Sequence, residues 1–357
     1  MGQRGFSAAS SLLYHRSSPS AIVCAEAVQM TRSTLEPNDG LRPYHLRPPE
    51  LAERADMVTG RHVLAGNDEL TLCWVRARGS SELYRNAAGD ELVFIFDGAA
   101  VLESVFGRLA VSEGDYVVVP ASTTHRWVID EGRGVQALVL EAAGHLDVPG
   151  RYLTPTGQLL EGAPFSERDL RAPQEPWLVE GEDVPVLIRH RSGWARHVHA
   201  CHPFDVVGWD GCVYPYALSI TDFEPITGRL HQPPPVHQTF AGPGFVVCSF
   251  VPRLLDTDPQ AVRIPYHHAN VDSDEVLLYV DGSFSSRAGS GIGVGSMTLH
   301  PSGFVHGPQP GSYEASLGHE RTDELAVMVD TFSPLGISAS ARSVADPHYV
   351  TSWARRV

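Results

Sequence analysis

The 357-residue chain contains no lysine: all 27 basic residues are arginine, set against 42 Asp and Glu, for a formal charge of −15. Any strong cation that the chemistry needs must therefore be a guanidinium. The acidic balance argues against nucleic acid or an anionic membrane surface as a partner, since neither would be attracted electrostatically. Cysteine is sparse, and Cys24, Cys73, Cys201, Cys212 and Cys248 stand apart with no C-x-x-C pair. An odd, unpatterned set excludes a disulfide framework and points to free thiols in a reducing compartment. No run approaches the ~20 apolar residues of a membrane span. Residues 1–6 carry neither the apolar stretch of a secretory signal nor the Ser or Thr of a myristoylation site. The expectation is a cytoplasmic protein.

The chain also lacks any long segment with the 3.6-residue apolar period of a helix. What it has instead is 33 Gly and 27 Pro spread between short apolar runs. After an irregular lead over 1–60, such runs fall at 70–75, 91–96, 99–105, 116–119 and 135–140. A Pro- and charge-rich stretch covers 146–200, and runs return at 213–220, 245–251, 276–280, 297–299 and 325–329. This pattern predicts an all-β-dominated chain of hairpins, a sandwich or small barrel.

An internal comparison narrows the fold. Glu91-Leu-Val-Phe-Ile-Phe-Asp97-Gly98 reappears as Glu275-Val-Leu-Leu-Tyr-Val-Asp281-Gly282. Downstream, Gly114 and Pro120 are spaced like Gly295 and Pro301, and His125 and His306 follow the two prolines at one distance. Two blocks in the same order and spacing mean two copies of one supersecondary unit. The second copy reads His268-Ala-Asn270, Glu275, Gly282, then Gly295, Pro301-Ser-Gly303 and His306. These spacings resemble the two motifs of the cupin barrel. The resemblance implies a bicupin: two jelly-roll β-barrel domains with an irregular N-terminal lead and inter-barrel segment. The expected division is 1–229, with a degenerate core at about 61–145, and a catalytic C-terminal domain at 230–357.

In a strand, residues two apart share a face, so His268 and Asn270 point into the barrel and His267 points away. His267 remains the rival ligand. Two neutral imidazoles and one carboxylate, from His268, Glu275 and His306, leave the opposite side of a metal open, which is the arrangement of non-haem Fe(II) oxygenases. Mn and Ni stay open as alternatives, and zinc would more often be closed down to four ligands. In the first copy Tyr84-Arg85-Asn86 replaces the ligand histidine while Glu91 and His125 remain. That barrel is expected to bind no metal, with His125 structural. The His197-Val-His199-Ala-Cys201-His202 cluster matches no zinc spacing and is expected in a solvated loop.

The stretch Pro265-Tyr-His-His-Ala-Asn-Val-Asp-Ser-Asp-Glu275 through His300-Pro-Ser-Gly-Phe-Val-His-Gly-Pro308 resembles homogentisate 1,2-dioxygenases, as does His202-Pro-Phe-Asp-Val-Val-Gly-Trp-Asp-Gly211. The resemblance runs in weaker form from about residue 5 to 353. It implies O2-dependent opening of a hydroquinone ring bearing an acetate side chain, giving maleylacetoacetate in tyrosine and phenylalanine breakdown. It further implies iron on His268, Glu275 and His306, with His306 also facing substrate. His300 and Tyr266 match substrate-contacting residues, and His231 matches a proton-handling histidine, with His237 as the alternative because Pro233-Pro-Pro235 disturbs the match. Phe284 and Arg287 stand where the family carries Tyr and Lys, so Arg287 becomes the expected receiver of the substrate carboxylate. The family's assemblies imply a trimer or hexamer. The chain begins in what resembles the middle of the family's N-terminal lead, so a truncated start is expected.

Three other readings stand beside this one. The first keeps the iron chemistry on gentisate, another hydroquinone or a natural-product phenol. The second is a Zn-dependent sugar-phosphate isomerase, weakened by the missing basic cluster for phosphate. The third is a non-enzymatic cupin, which would be expected to lose its metal ligands in both copies rather than in one.

Overall fold

In the computed structural model, which describes residues 1–31, 33–225, 234–256, 258, 266–287 and 289–354, the apolar runs form antiparallel strands. The runs 91–96 and 99–105, expected as two strands, are one strand of 14 residues, Glu91–Ser104. It bends at Gly98, whose φ is 91°. The bend lets its first part pair with Asp115–Val119 and Val135–Ala142, and its second with Gly107–Ser112 and Thr124–Ile129. One strand thereby serves two faces of the first barrel.

Side-chain alternation is the same in both copies. From Glu91, Val93 and Ile95 fill the first barrel, while Leu92 and Phe94 face the second unit. From Glu275, Leu277 and Tyr279 line the second barrel, while Val276 and Leu278 face back. The shared layer also takes in Tyr116, Leu138, Phe240, Phe245 and Leu299. Tyr116 crosses it to share a hydrogen bond of 2.9 Å with the Ser249 hydroxyl. Each large side chain fully buried there stabilises by about 1.5–3 kcal/mol relative to exposure.

The second unit is a six-stranded sheet in the order Gln238–Gly242, Phe245–Phe250, Leu325–Thr331, Asp274–Asp281, Met297–His300, Tyr44–Leu46. Its last strand comes from the N-terminal lead. In return, Gly336–Ser338 pairs with His62–Gly66 in the first unit's sheet. The lead is thus less irregular than expected, and also contributes Ser11–His15 and Ile22–Val28.

The stretch 146–200 likewise holds a hairpin, Glu182–His190 with Gly193–Cys201. His197 and His199 therefore lie on a strand rather than in a solvated loop. Gly193–Cys201 is half-buried along most of its length and Ile22–Val28 is almost wholly exposed. Neither has the one-sided burial that writes alternation into a sequence. Among the described residues no helix is long and apolar enough to cross a membrane.

The repeated Asp-Gly pairs mark close backbone approaches. A β-carbon at Gly98 would lie 2.4 Å from the Gly134 carbonyl oxygen, and one at Gly282 would lie 2.1 Å from that of Asp323. Both residues also have positive φ, where L side chains are strained. Gly98→Ala and Gly282→Ala should each destabilise by about 2 kcal/mol or more, read as a lower melting temperature. Gly157 has a similar φ of 91° and nothing within 4 Å of its added carbon, so Gly157→Ala should cost only about 1 kcal/mol.

Candidate metal centre

Register, more than local sequence, aims the side chains of the second barrel. Glu275 is directly opposite His300 on one neighbouring strand and Asp330 on the other. Directly opposed residues in an antiparallel sheet share a face, so all three point inward together. His268 and His306 are joined by an isolated bridge, with backbone bonds of 2.8 and 2.9 Å. The strand expected over 268–270 reduces to this bridge, and the bridge itself sets the two imidazoles side by side, 4.4 Å between ring centroids.

The imidazoles are oriented by their own backbone. Nδ1 of His268 lies 2.9 Å from the Tyr266 carbonyl oxygen, and Nδ1 of His306 lies 3.0 Å from that of Phe304. A carbonyl can only accept, so both Nδ1 atoms donate, and the tautomer that this selects carries its free lone pair on Nε2. The two Nε2 atoms lie 3.9 and 3.4 Å from the Glu275 carboxylate. The Nε2 of His306 is buried without a hydrogen-bond partner.

A buried lone pair facing a carboxylate is costly unless a cation stands between them. The donor set therefore fits a divalent metal with oxygen and nitrogen ligands. His268, Glu275 and His306 are the one group of possible ligands drawn this closely together among the described residues. His267 is outside it and exposed.

Burial pushes the Glu275 carboxyl up, but the three imidazoles around it, His268, His300 and His306, outweigh that and hold it well below the usual carboxylate range. His300 donates from Nδ1 to Glu275 over 3.0 Å, while its Nε2 meets the Tyr349 hydroxyl at 2.9 Å. With both nitrogens engaged and no exposed surface, His300 stands behind the carboxylate rather than open to a substrate. Burial brings it to about 3, so it is neutral.

Arg287 is buried beside the site and donates to the Tyr279 hydroxyl at 2.9 Å and to the Gly307 carbonyl at 2.8 Å. Tyr266 is exposed, its ring edge-on to His268. His231 lies outside the described residues. His237 is buried, and burial followed by the nearby Arg253 charge brings it to about 3, low for a base working near neutral pH.

The first barrel shows what the same scaffold does without the histidine. His125 repeats the orienting contact, Nδ1 to the Thr123 carbonyl at 3.0 Å, and its Nε2 is again buried and unpartnered. Here, however, Arg61 grips both oxygens of Glu91 at 2.8 Å, and Tyr84 and Asn86 donate to the same carboxylate. Burial pushes Glu91 up and the Arg61 guanidinium more than reverses this, bringing it to about 2. Arg61 also pairs with Glu141, which pairs with Arg189, so two buried acids face two guanidiniums. A side-chain cation thus neutralises the carboxylate of the first barrel.

Two residues at the second barrel were missed by sequence reasoning. Tyr349 lies 49 residues beyond His300, with no motif to link them. Asp330 ends the alternation Ala326, Met328, Asp330 on the inward face of Leu325–Thr331, and its Oδ1 is buried without a partner. Burial and then the Glu275 charge push it up to about 7. An acid at an inward position of an apolar strand was the available signal.

Duplicated barrels and an open two-histidine, one-carboxylate set define a two-barrel cupin enzyme. Family models described as homogentisate 1,2-dioxygenase N-terminal and C-terminal match residues 10–220 and 226–356. The chain belongs to the homogentisate 1,2-dioxygenase family, and it is a dioxygenase. It is 39% identical to a provisionally named dioxygenase of Saccharolobus solfataricus, over 99% of this chain and 91% of that one. It is 27% identical to the homogentisate 1,2-dioxygenase of Emericella nidulans, over 77% of this chain, and spans 64% of that enzyme's length. Identity to the human homogentisate 1,2-dioxygenase is 25%, over 87% of this chain and 74% of that one. Among solved structures, a cupin 2 conserved barrel domain protein from Leptotrichia buccalis aligns with a TM-score of 0.38 at 9% identity, covering 85% of this chain and 100% of that one.

Glu275→Ala should abolish stoichiometric metal binding, measured by elemental analysis after reconstitution, while His125→Ala and His267→Ala should leave it at the level of the unmodified protein. A second expectation concerns acid stability. His237 is drawn down from an ordinary 6.5 to about 3, so between those values the unfolded chain binds a proton that the folded chain excludes. Stability then rises with pH across that window and is lost as pH falls, by up to ~1.4 kcal/mol per pH unit. Urea unfolding at pH 7 and pH 5 should show the lower stability at pH 5, and His237→Leu should narrow the gap.

Proposed function

We propose that the protein holds Fe(II) on His268, Glu275 and His306 and uses O2 to open the ring of homogentisate, giving maleylacetoacetate. The observation that carries this reading is the pair of bare, backbone-oriented Nε2 atoms facing one buried carboxylate. When bound, Fe(II) supplies the redox chemistry that brings O2 to an electron-rich phenol. The chain's own residues do the rest. Glu275 offsets part of the metal's charge, and the two imidazoles confine the ligands to one side, leaving the other for substrate.

Arg287 is offered as the receiver of the substrate carboxylate. Its Nη2 has no hydrogen-bond partner among the described residues, and its charge is felt by His268 and His300. Tyr266, His300 and His306 complete the proposed substrate surroundings. Within that set His300 acts on the carboxylate ligand, and Tyr266 stands exposed at the mouth. His231 is the proposed base for the substrate hydroxyl, with His237 the alternative.

The division at about residue 229 assigns this chemistry to the C-terminal unit. Five free thiols support a cytoplasmic setting, and family resemblance supports a homo-oligomer, trimer or hexamer. A different hydroquinone acid is the second reading. Phe284 favours it, because its ring packs edge-on against Tyr279 at 4.8 Å and offers no hydroxyl.

Anaerobic Fe(II) reconstitution followed by O2 uptake with a panel of hydroquinone acids tests the assignment. Uptake with another acid and none with homogentisate would move the substrate and keep the reaction. Arg287→Met should raise the KM for homogentisate by roughly one to two decades, the ~1.5–3 kcal/mol of a charge-assisted pair, and leave that for methylhydroquinone nearly unchanged. Equal effects on both substrates would make Arg287 a structural residue.

A further inference from the structure

We infer that Tyr349, on the short C-terminal 3-10 helix Tyr349–Ala354, is a positioning residue for the metal centre that acts on Glu275 through His300. The inference rests on the proposed metal-binding role of Glu275 and His306, and adds to it a residue from outside both cupin motifs.

The proton order along this chain of contacts follows from what each group can do. The Glu275 carboxylate can only accept, so His300 donates from Nδ1 across the 3.0 Å contact. A neutral imidazole that donates from Nδ1 presents Nε2 as an acceptor, so the Tyr349 hydroxyl donates across 2.9 Å. All three groups are buried, and both nitrogens of His300 have protein partners. The carboxylate thereby sets the tautomer of His300, and the tyrosine hydroxyl holds the ring in it by donating to the Nε2 that this tautomer leaves bare. In the other tautomer a bare Nδ1 lone pair would face the Glu275 oxygen.

His300 supports His306 as well, since the two rings stack at 4.0 Å with 16° between their planes. One imidazole thus braces two of the three proposed ligands, and Tyr349 is what fixes that imidazole. The same C-terminal helix fastens the backbone just past His306: Trp353 donates to the Gly307 carbonyl at 3.1 Å, and Gln309 donates to the Ser352 hydroxyl at 2.9 Å. Tyr349 is held from its other side by His45, edge-on at 5.6 Å, and Asp346 donates its backbone N–H to the His45 carbonyl at 2.8 Å. The strand carrying His300 is therefore bracketed by the N-terminal lead and the C-terminal helix.

Tyr349→Phe keeps the ring and removes only the hydroxyl. Affinity for Fe(II) is measured anaerobically by competition with a chromophoric chelator, and the visible spectrum of the Co(II) form reports the ligand field; circular dichroism checks the fold. Partners that orient metal ligands typically contribute 10–100-fold in affinity, so Tyr349→Phe should weaken Fe(II) binding by about tenfold or more and alter the Co(II) bands. His300→Asn should weaken binding too, and adding Tyr349→Phe to it should cause no further loss, since the hydroxyl acts through the ring that is gone. Unchanged affinity and spectrum in Tyr349→Phe would overturn the inference. So would a loss of the same size with and without His300. Failure of the unmodified protein to bind Fe(II) would overturn the metal assignment itself, and this inference with it.

Discussion

A carboxylate at the heart of a β-barrel is the constraint around which both halves of this protein are built. Glu91 and Glu275 occupy corresponding positions in the duplicated unit, each almost fully removed from water. An isolated charge in such a place is prohibitively costly, so each barrel must supply a compensating cation or donors. The first does so from within, with Arg61 across both oxygens and Tyr84 and Asn86 completing the shell. The second surrounds its carboxylate with imidazoles, two of which present bare lone pairs toward it.

That difference sets the two copies apart chemically. A guanidinium satisfies a carboxylate bidentately and leaves nothing for an outside ligand. Imidazoles with Nδ1 committed to backbone carbonyls satisfy it only in part, and their remaining lone pairs suit a metal. The first barrel can then be a fully packed support, to which Trp127, Ile95 and Val139 contribute a closed interior. Through the shared layer of Phe94, Tyr116, Phe240, Val276 and Leu299, it packs against the strands that carry Glu275 and His300. Exchange of Tyr44–Leu46 and Gly336–Ser338 ties the halves further, because each unit's sheet is completed by a strand from across the chain.

Much of this was legible in the sequence, for identifiable reasons. Strand alternation is local, so the inward parity of Glu275, Leu277 and Tyr279 could be read from the run itself, as could the strand end at Gly282, whereas the break expected before residue 99 is a bend at Gly98 within one strand. Repetition made the first block a check on the second. Where burial is not one-sided the reading failed, as in the hairpin carrying His197 and His199 and the exposed strand Ile22–Val28. The strand assumed over 268–270 is a single bridge to His306, yet His268 still faces the site, because two backbone bonds hold it there.

The sequence by itself determined the two barrels, their order, and which copy retained two histidines and a glutamate at the required spacing. Those features depend on side-chain period and on turn residues, both written within a few tens of positions. Only the tertiary structure decided how the buried charges are balanced and braced. Arg61 meets Glu141 from 80 residues away, and Tyr349 reaches His300 from 49. Asp330 becomes Glu275's neighbour through strand register alone. Such partners are chosen by where strands happen to lie side by side, and no local pattern records a distance that only folding creates.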